Sequence, residues 1–434
     1  MPGQEHHAIT ELAVGLLPAW QQALLAAERD RLIRDYCTLP DQYFDVAGGG
    51  HERAKPYHFE TDGIQFHYLP DTPIVPLYRY YTVDPEARQL RLLLPYRNEH
   101  WRHAFRGMAY YAAKSTAAFA AGQVGEACAF AGCLLHLLQD YGFGAHALEG
   151  PYGTDIFVLD RLFPEAENPE AEPLSILCAA PPPPAPAEVQ GWTPCLLGAE
   201  PEEIALHLYT RHVRVTGAAR RLCHQIVTAS RAGQAPAATD LFRGMYRNVV
   251  HLCADTLYTL IAAGQGRFDS GREHLERVAL SDLEPIQRPW VVSAPYRFQA
   301  LVRDRALDWQ RHRIPLRLRF APNGPAVEYA KGFGMGSHVE FTVAYEVPRG
   351  LYRRLTCALG LHADFCERGN VNLALIVDGR CRFEAQFDRR HPAAELSVDQ
   401  PEGLVEFRVR GAAGHAGAEN NVVWAAPVLE RKPW

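Results

Sequence analysis

The spacing of apolar residues changes near residue 270, and this change constrains the fold more than any other feature of the sequence. Before it, apolar residues recur every three to four positions, as in amphipathic helices. After it, short runs rich in Val, Leu, Phe and Tyr alternate with Gly, Asp, Asn or Pro. Short strands at such close spacing are typical of a β-sandwich. The sequence therefore predicts a multidomain α + β chain, with a mostly α-helical domain followed by a β-sandwich domain.

The boundary is placed near 270–285, giving a helical domain over 1–270 and a β-sandwich over 285–434. Helices are predicted over 6–36, 98–121, 124–141, 201–231 and 237–264. Pro18 is expected to kink or split the first of them. Strands are predicted over 314–320, 338–346, 351–360, 371–377, 381–387, 403–410 and 421–430. Two segments are predicted to be irregular, namely 37–96 and the acidic, proline-rich surface loop 164–191.

Composition excludes some classes of protein and leaves others open. The formal net charge of −6 argues against binding of duplex nucleic acid through a broad, positively charged surface. The ten cysteines include no C-x-x-C pair, so neither a zinc ribbon nor a thioredoxin-type motif is expected. No apolar run approaches the ~18 residues that span a bilayer. No signal peptide opens the chain, so we expect a cytoplasmic protein, or an exported one whose signal has been removed.

Histidine and aspartate residues gather at the end of the helix predicted over 124–141. His136 and Asp140 are one turn apart on the same helix face, and His146 follows a glycine break. Imidazole and carboxylate are the usual non-thiolate ligands of zinc, and a carboxylate can bridge two metal ions about 3.5–4 Å apart. Such a pair alone is more often a hydrogen-bonded helix pair, so the metal hypothesis depends on further residues upstream. These are His6 or His7 at the start of the first helix, Asp41 or Asp45 in a loop, and His58.

The order of these residues resembles the zinc-dependent phospholipase C family and the related single-strand-specific nucleases. The shared features are a helix-opening histidine followed by Ile9 and Ala13, which favours His6 over His7, then a loop aspartate and a "KPYHF" turn. The core of the resemblance is the H-x3-D-x5-H motif in "HLLQDYGFGAH". It covers about residues 5–160 and extends to about 1–265.

The resemblance implies a set of zinc ligands. His58, His136 and Asp140 would hold one zinc ion. Asp140 would bridge to a second ion held by His6, and His146 would help to hold a third. Two zinc ions are therefore expected, with the third left open.

The resemblance also implies an activity, the hydrolysis of phosphodiester bonds by a metal-activated hydroxide that attacks phosphorus. Asp41 would be the catalytic residue that orients or deprotonates the water. The substrate would be a phospholipid head group or a single-stranded nucleic acid. Aromatic residues that would approach either substrate, or belong to the core, are Tyr57, Phe59, Phe66, Tyr68, Trp101 and Phe143.

Two features depart from the family pattern. The N-terminal tryptophan that binds metal in the family is missing, and the candidate for its place is Met1, or Pro2 if Met1 is removed. The H-x3-E or H-x3-D pair after the last motif histidine is also missing, and the candidate substitutes are Glu149, Asp155 and Asp160. Glu203/His207 and His251/Asp255 are interpreted as ordinary helix pairs. These departures leave the third zinc ion and the exact substrate open.

The β-rich part resembles the NPCBM type of carbohydrate-binding module over about 285–434. The matching features are the "KGFGMGSH" start, the "VDG" turn and the late "WAAP" strand. The resemblance implies a glycan partner, whereas a module that only shields the helical domain explains the pattern equally well. A second hypothesis for the whole chain is therefore a zinc protein without catalysis that binds glycans through its β-sandwich. The sequence leaves the oligomeric state open.

Overall fold

The computed structural model describes a large part of both predicted domains. The described residues are 3–43, 45–57, 60–61, 64–65, 81–84, 89–92, 98–144, 147, 149–150, 153–154, 171–269, 271–286, 301–308, 310, 312–336, 341–365, 367–411 and 420–434. The chain divides into two compact units, Met1–Ser270 and Gly271–Trp434. The first is mostly helical and the second is built from sheets, which confirms the predicted fold class. No helix in the described ranges has the length and apolar character needed to cross a bilayer.

Helices dominate the described part of the first unit. They are α1 (Gly3–Gly15), α2 (Ala19–Leu25), α3 (Arg29–Arg34), α4 (Leu39–Gln42), α5 (Gly50–Ala54), α6 (Asn98–Ala120), α7 (Val124–Gly142), α8 (Ala171–Cys178), α9 (Pro186–Val189), α10 (Pro201–Arg231) and α11 (Ala235–Gln265). Two 3-10 turns, Tyr36–Thr38 and Lys55–Tyr57, lie before and after α4 and α5. Short antiparallel pairs are formed by β1 (Glu60–Thr61) with β2 (Ile64–Gln65), β3 (Tyr81–Asp84) with β4 (Gln89–Leu92), and β5 (Glu149–Gly150) with β6 (Gly153–Thr154).

The first predicted helix is divided into three. Pro18 occupies the position before α2 with φ −56° and ψ 150°, which is extended backbone, so the chain leaves the helix there. A second break, over 26–28, separates α2 from α3 and was not predicted. The break at Pro18 confirms the predicted split.

Helix α7 is the centre of the first unit. It packs against α1, α6, α10 and α11, and from Ala127 to Gly142 its only residue that is not buried is Asp140. A helix that is apolar on all sides is expected at the core of a bundle. The opening to solvent at Asp140 therefore marks the place where this core is accessible.

The irregular segments were predicted only in part. Within 164–191, residues 171–178 form α8, because the apolar side chain of Leu177 is buried against the unit. The prediction of a loop is wrong there, whereas 179–185 has no regular structure, as predicted. Within 37–96, the described residues include the short helices α4 and α5. The described residues also include β1–β4 within 37–96 and the short helix α9 within 164–191, so the prediction of irregular structure is wrong at those places as well. Residues 44, 58–59, 62–63, 66–80, 85–88, 93–96 and 164–170 lie outside the described residues.

Two antiparallel sheets dominate the second unit. Its elements are α12 (Glu273–Glu276), β7 (Arg277–Ala279), a 3-10 turn (Leu280–Asp282), β8 (Val302–Arg303), β9 (Ala306–Leu307), β10 (Arg313–Ile314), β11 (Leu316–Arg319), β12 (Ala326–Tyr329), β13 (Gly332–Gly336), β14 (Phe341–Val347), β15 (Tyr352–Leu361), β16 (Val371–Val377), β17 (Arg380–Phe387), β18 (Ala393–Asp399), β19 (Gly403–Gly411) and β20 (Asn421–Arg431). One sheet has the order β18–β15–β20–β13–β8, with β7 also paired to β20, and the other has the order β14–β19–β16–β17. Strands were found at all seven predicted places, with the one predicted over 314–320 divided between β10 and β11. The strands β7, β8, β9, β12, β13 and β18 were missed.

Aromatic side chains from both sheets form the core of the sandwich. Phe333 and Trp424 belong to one sheet, and Tyr345 and Phe407 to the other; all four are fully buried. The rings of Phe407 and Trp424 meet edge to face at 4.9 Å between centroids, a favourable geometry for aromatic pairs. Trp424 of the "WAAP" strand is thus a core residue and is not exposed to a ligand.

The other quoted motifs of this unit have local structural reasons. Asp378 and Gly379 both have positive φ, 47° and 74°, and they join β16 to β17 as a two-residue hairpin loop. In "KGFG", a Cβ atom at Gly334 would lie 2.6 Å from Ala306 Cα. Close packing of backbones therefore explains that glycine without a ligand.

Candidate metal centre

The site is built on the last turns of α7. His136 is 1% exposed and Asp140 has 15% of its side chain exposed. One helical turn separates them, so both side chains leave the helix on the same side. His136 Nε2 lies 3.1 Å from Asp140 Oδ2. This pair is the fixed part of the cluster.

Helix α1 adds His6 to this pair. Its side chain is fully buried, and its ring stacks on that of His136 with 4.2 Å between centroids and 16° between planes. His6 Nε2 lies 3.4 Å from Asp140 Oδ1. The buried face of α1, which includes Ile9 and Ala13, packs the helix into the core and so holds His6 at this place. His7 is half-buried and does not join the cluster in the described part of the chain.

Helix α4 brings Asp41 to the opening of the site. Pro40 is placed in the first turn of this four-residue helix, where its missing N–H costs nothing. Asp41 Oδ1 lies 3.3 Å from His136 Nε2, and 54% of the Asp41 side chain is exposed. The two imidazoles therefore lie at the buried end of the site, and Asp41 lies at its solvent-exposed end.

The cluster has the donor set of a metal centre. One ligand atom each from His6, His136 and Asp140 lies within 4.8 Å of the other two. The two oxygens of Asp140 face different imidazoles, Oδ1 facing His6 and Oδ2 facing His136. Asp140 therefore presents one oxygen to each imidazole.

Both imidazoles are anchored through the ring nitrogen that points away from the cluster. His136 Nδ1 donates a hydrogen bond to the backbone carbonyl oxygen of Cys37 at 2.8 Å. His6 Nδ1 lies 2.6 Å from Gln139 Oε1. Metal-binding histidines usually donate their second N–H in this way. Among the described residues, the buried His6 Nε2 has no hydrogen-bond partner, which fits an atom that serves as a metal ligand.

The Cys37 carbonyl reaches His136 because the backbone of the turn Tyr36–Thr38 packs closely against α7 at Gly132. The 3-10 turn Tyr36–Thr38 packs against α7 at Gly132, one turn before His136. A Cβ atom at Gly132 would lie 2.5 Å from the carbonyl carbon of Tyr36. Only glycine leaves room for this approach.

Charges in the cluster shift one another's pKa values in opposite directions. Burial, and then repulsion from His136, lowers the pKa of His6 well below its usual range. Burial alone would lower the pKa of His136, but attraction and hydrogen bonding to Asp140 and Asp41 outweigh it and raise that pKa to about 10. Burial would raise the pKa of Asp41, and the contact with His136 lowers it overall. The two carboxylates therefore favour the protonated form of His136, whereas burial favours the neutral form of His6.

Several predicted ligands are outside the cluster or outside the described residues. Asp45 is exposed, and its Oδ1 accepts a hydrogen bond from the Gly48 N–H at 2.7 Å, so it closes a local turn. Of the two loop aspartates, the structure thus brings only Asp41 to the histidines. Met1, Pro2, His58, His146, Asp155 and Asp160 lie outside the described residues, as does the side chain of Glu149.

The two other acidic/histidine pairs have structural roles. Asp255 accepts hydrogen bonds from Trp192 Nε1 at 3.0 Å and the Cys195 N–H at 2.8 Å, and it forms an ion pair with Arg211. Glu203 Oε2 accepts a hydrogen bond from the Ala199 N–H at 2.8 Å. These carboxylates fasten the segment before α10, as expected of ordinary helix residues.

Among the aromatic candidates, Phe143 is a core residue. It is 1% exposed, and its ring packs 4.2 Å from that of Tyr246. Tyr57 packs edge-on against Phe130 at 5.1 Å. The side chains of the other four candidates, Phe59, Phe66, Tyr68 and Trp101, lie outside the described residues.

Sequence reasoning missed three contributors to the site, namely Gln139, the Cys37 carbonyl and Gly132. Gln139 carries a signal, because an amide in the apolar run "LLHLLQD" must find hydrogen-bond partners once it is buried. The Cys37 carbonyl and Gly132 contribute through the backbone, so no pattern of side chains in the sequence could have indicated them.

Comparisons with known proteins give only weak similarities to solved structures. No protein-family model matches the chain, and no curated protein matches it. Over its full length the chain is similar to the solved structure of alpha toxin from Clostridium absonum, with 9% identity, 94% of that chain covered and a TM-score of 0.30.

The second group of similar structures matches a third of this chain. A CBM51 domain of a Clostridium perfringens GH95 protein, solved in complex with methyl-galactose, has 15% identity and a TM-score of 0.29, and it covers 35% of this chain and 99% of that one. The CBM51-2 and INT domains of Clostridium perfringens ZmpB have 20% identity and a TM-score of 0.29, with 36% of this chain covered. This chain spans 31% of the length of that solved chain. At these identities and TM-scores the matches carry no conclusion about activity.

Proposed function

We propose that the chain is a zinc-dependent hydrolase of phosphodiester bonds, with its metal centre in the helical unit. The observation that supports this most strongly is convergence at one opening in an apolar core. Nitrogen and oxygen atoms of His6, Asp41, His136 and Asp140 lie in pairs between 3.1 and 3.4 Å apart there, although they belong to three separate helices. Burying such groups without function is costly, so a bound cation is the simplest reason for their presence.

His6, His136 and Asp140 would hold the metal, and Asp140 would bridge two zinc ions. His58 and His146 are proposed as further ligands. When bound, zinc supplies Lewis acidity, which activates water near neutral pH and offsets negative charge on a phosphate.

The chain's own residues perform the remaining tasks. The Nδ1 bonds to Gln139 and Cys37 fix the planes of both imidazoles, so that the site is preorganised. Asp41 reaches both the cluster and solvent, and its lowered pKa keeps it ionised at neutral pH. It is therefore proposed to orient the attacking water and accept its proton.

The proposed activity is tested by offering three substrates side by side to the purified protein with zinc. These are phosphatidylcholine, single-stranded DNA and bis(p-nitrophenyl) phosphate. Preference for the lipid supports a phospholipase C-like enzyme, and preference for DNA supports the nuclease alternative. No hydrolysis of any of the three by the zinc-loaded protein would contradict the proposal.

A zinc protein without catalysis that binds glycans is the second candidate. It is supported by the sequence resemblance of the β-sandwich and by Phe320, which is 39% exposed and available to stack on a sugar. Zinc stoichiometry separates the two candidates, because two or more ions per chain favour the enzyme and one or none favours the binding protein. Calorimetry with methyl-galactose, comparing wild type with Phe320→Ala, tests the glycan site itself.

Zinc binding to the metal-free protein is expected to release about one proton between pH 7 and 9. His136, with its pKa raised to about 10, holds a proton in this range, and a cation at Nε2 must displace it. His6, with its lowered pKa, contributes none. The apparent affinity should then rise about tenfold per pH unit over this range. Titration calorimetry in buffers of different ionisation enthalpy measures the proton count, and a pH-independent affinity would contradict the assignment.

The raised pKa of His136 also affects the stability of the metal-free protein. A raised pKa in the folded state means that the protonated His136 stabilises folding. This contribution is fully present below the ordinary value of 6.5 and is lost as pH rises through about 10. The unfolding midpoint in urea, followed from pH 6 to 10, should therefore fall.

A further inference from the structure

We infer that Gln139 is a positioning residue that holds His6 in the tautomer protonated on Nδ1, so that the Nε2 lone pair points at Asp140 and a bound cation. The inference rests on the proposed metal centre. It assigns a role to a residue that is neither a ligand nor a catalytic group.

Gln139 is fully buried between His136 and Asp140 on α7. A buried amide must have both its oxygen and its NH₂ group satisfied, or the fold loses stability. Its two ends reach α1 in different places, with Oε1 at His6 Nδ1 (2.6 Å) and Nε2 at Thr10 Oγ1 (2.8 Å). It remains to decide whether Gln139 or His6 donates the hydrogen bond between them.

The contact with Thr10 gives the orientation of the amide. Gln139 Nε2 donates a hydrogen bond to Thr10 Oγ1, so the NH₂ group is the end that faces Thr10. The oxygen Oε1 is therefore the end that faces His6 Nδ1.

This orientation fixes the tautomer of His6. With the NH₂ group directed at Thr10, the atom that faces His6 is the carbonyl oxygen, which accepts only. His6 Nδ1 must therefore be the donor, and a neutral imidazole protonated there carries a lone pair on Nε2. The hydrogen bonds of Gln139 to Thr10 and His6 thus set the position of the proton on His6.

Without Gln139, the population of the His6 tautomer protonated on Nε2 should increase. A proton on Nε2 would be donated to Asp140 Oδ1, now 3.4 Å away, and it would occupy the position that a cation needs. Loss of an outer hydrogen-bond partner of a metal-binding histidine typically costs 10–100-fold in metal affinity. That is the effect expected for replacing Gln139.

The test uses two substitutions at this position and one matched control. Gln139→Met keeps the side chain's approximate size and removes both hydrogen bonds, whereas Gln139→Glu keeps the acceptor for His6. Gln21→Met removes an equally buried glutamine, whose Nε2 donates to the Tyr258 carbonyl at 3.1 Å. Zinc dissociation constants come from competition with a chelating dye. Long-range ¹H–¹⁵N spectra of the metal-free proteins report which ring nitrogen of His6 is protonated.

We expect Gln139→Met to bind zinc 10–100-fold more weakly, and the other two variants to stay within about threefold of wild type. His6 should be protonated on Nδ1 in wild type and on Nε2 in Gln139→Met. Unchanged affinity in Gln139→Met, or a wild-type His6 protonated on Nε2, would overturn the inference. If wild type binds no zinc, the proposed function fails by itself, and the spectra still decide the tautomer. If Gln139→Met does not fold, the wild-type and Gln139→Glu spectra decide it.

Discussion

Replacing Asp140 by alanine should abolish zinc binding and lower kcat/KM for a phosphodiester substrate by about a thousandfold or more. Among the described residues outside the two histidines, Asp140 is the one whose side chain contacts both imidazoles, through a different oxygen for each. Its removal takes away the bridge and leaves two stacked rings whose Nε2 atoms have no shared anion. The measurements are zinc content by elemental analysis and initial rates at saturating zinc.

Two further variants make this result specific. Asp140→Asn keeps the size of the side chain but removes its charge, so it should lose most of the zinc as well. Asp240→Ala is the control, because that carboxylate is 74% exposed on α11 and lies outside the cluster. Full turnover in Asp140→Ala, with Asp240→Ala equally active, would end the proposed mechanism.

Replacing Gly132 by alanine should lower the free energy of unfolding by about 3 kcal/mol, since overpacked cores lose 1–3 kcal/mol and the clash here is with backbone. The added Cβ would lie 2.5 Å from the carbonyl carbon and 2.6 Å from the oxygen of Tyr36. The turn that carries the Cys37 carbonyl must then move away from α7, and His136 loses its anchor. Zinc affinity should fall about 10–100-fold with it.

Gly244→Ala is the matched control for this substitution. Gly244 also lies inside a long helix, but beyond that helix's own backbone a Cβ there meets no described atom within 4 Å. Replacing glycine by alanine in such a helix should stabilise the protein by roughly 0.5–1 kcal/mol. Urea unfolding of the three proteins gives the comparison. A Gly132→Ala protein as stable as wild type would refute the role assigned to that close approach.

The sequence was most informative where structure depends on local pattern. The helices now observed as α6, α7, α10 and α11 were predicted within a few residues, because long apolar periodicity fixes a helix with little tertiary help. Short elements were harder. Strands such as β7, β8 and β9 have only two or three residues, and their pairing partners in the sheet define them more than their own residues do.

The candidate site was predictable for a different reason. His136 and Asp140 are neighbours on one helix, so their spacing alone suggested a pair. His6 and Asp41 are distant in sequence, and only the resemblance to a family joined them to it. Gln139 contributes through hydrogen bonds to another helix, and Gly132 through the absence of a side chain. Contributions of that kind become visible only when the backbone positions are known.

Crystals soaked in zinc, with anomalous diffraction measured on both sides of the zinc absorption edge, test the central claim most directly. We predict anomalous peaks at about 2.0–2.2 Å from His6 Nε2, from His136 Nε2 and from the carboxylate oxygens of Asp140. Two peaks that share Asp140 would support the bridged centre. Zinc-soaked crystals with no peak within bonding distance of these three side chains would contradict the account.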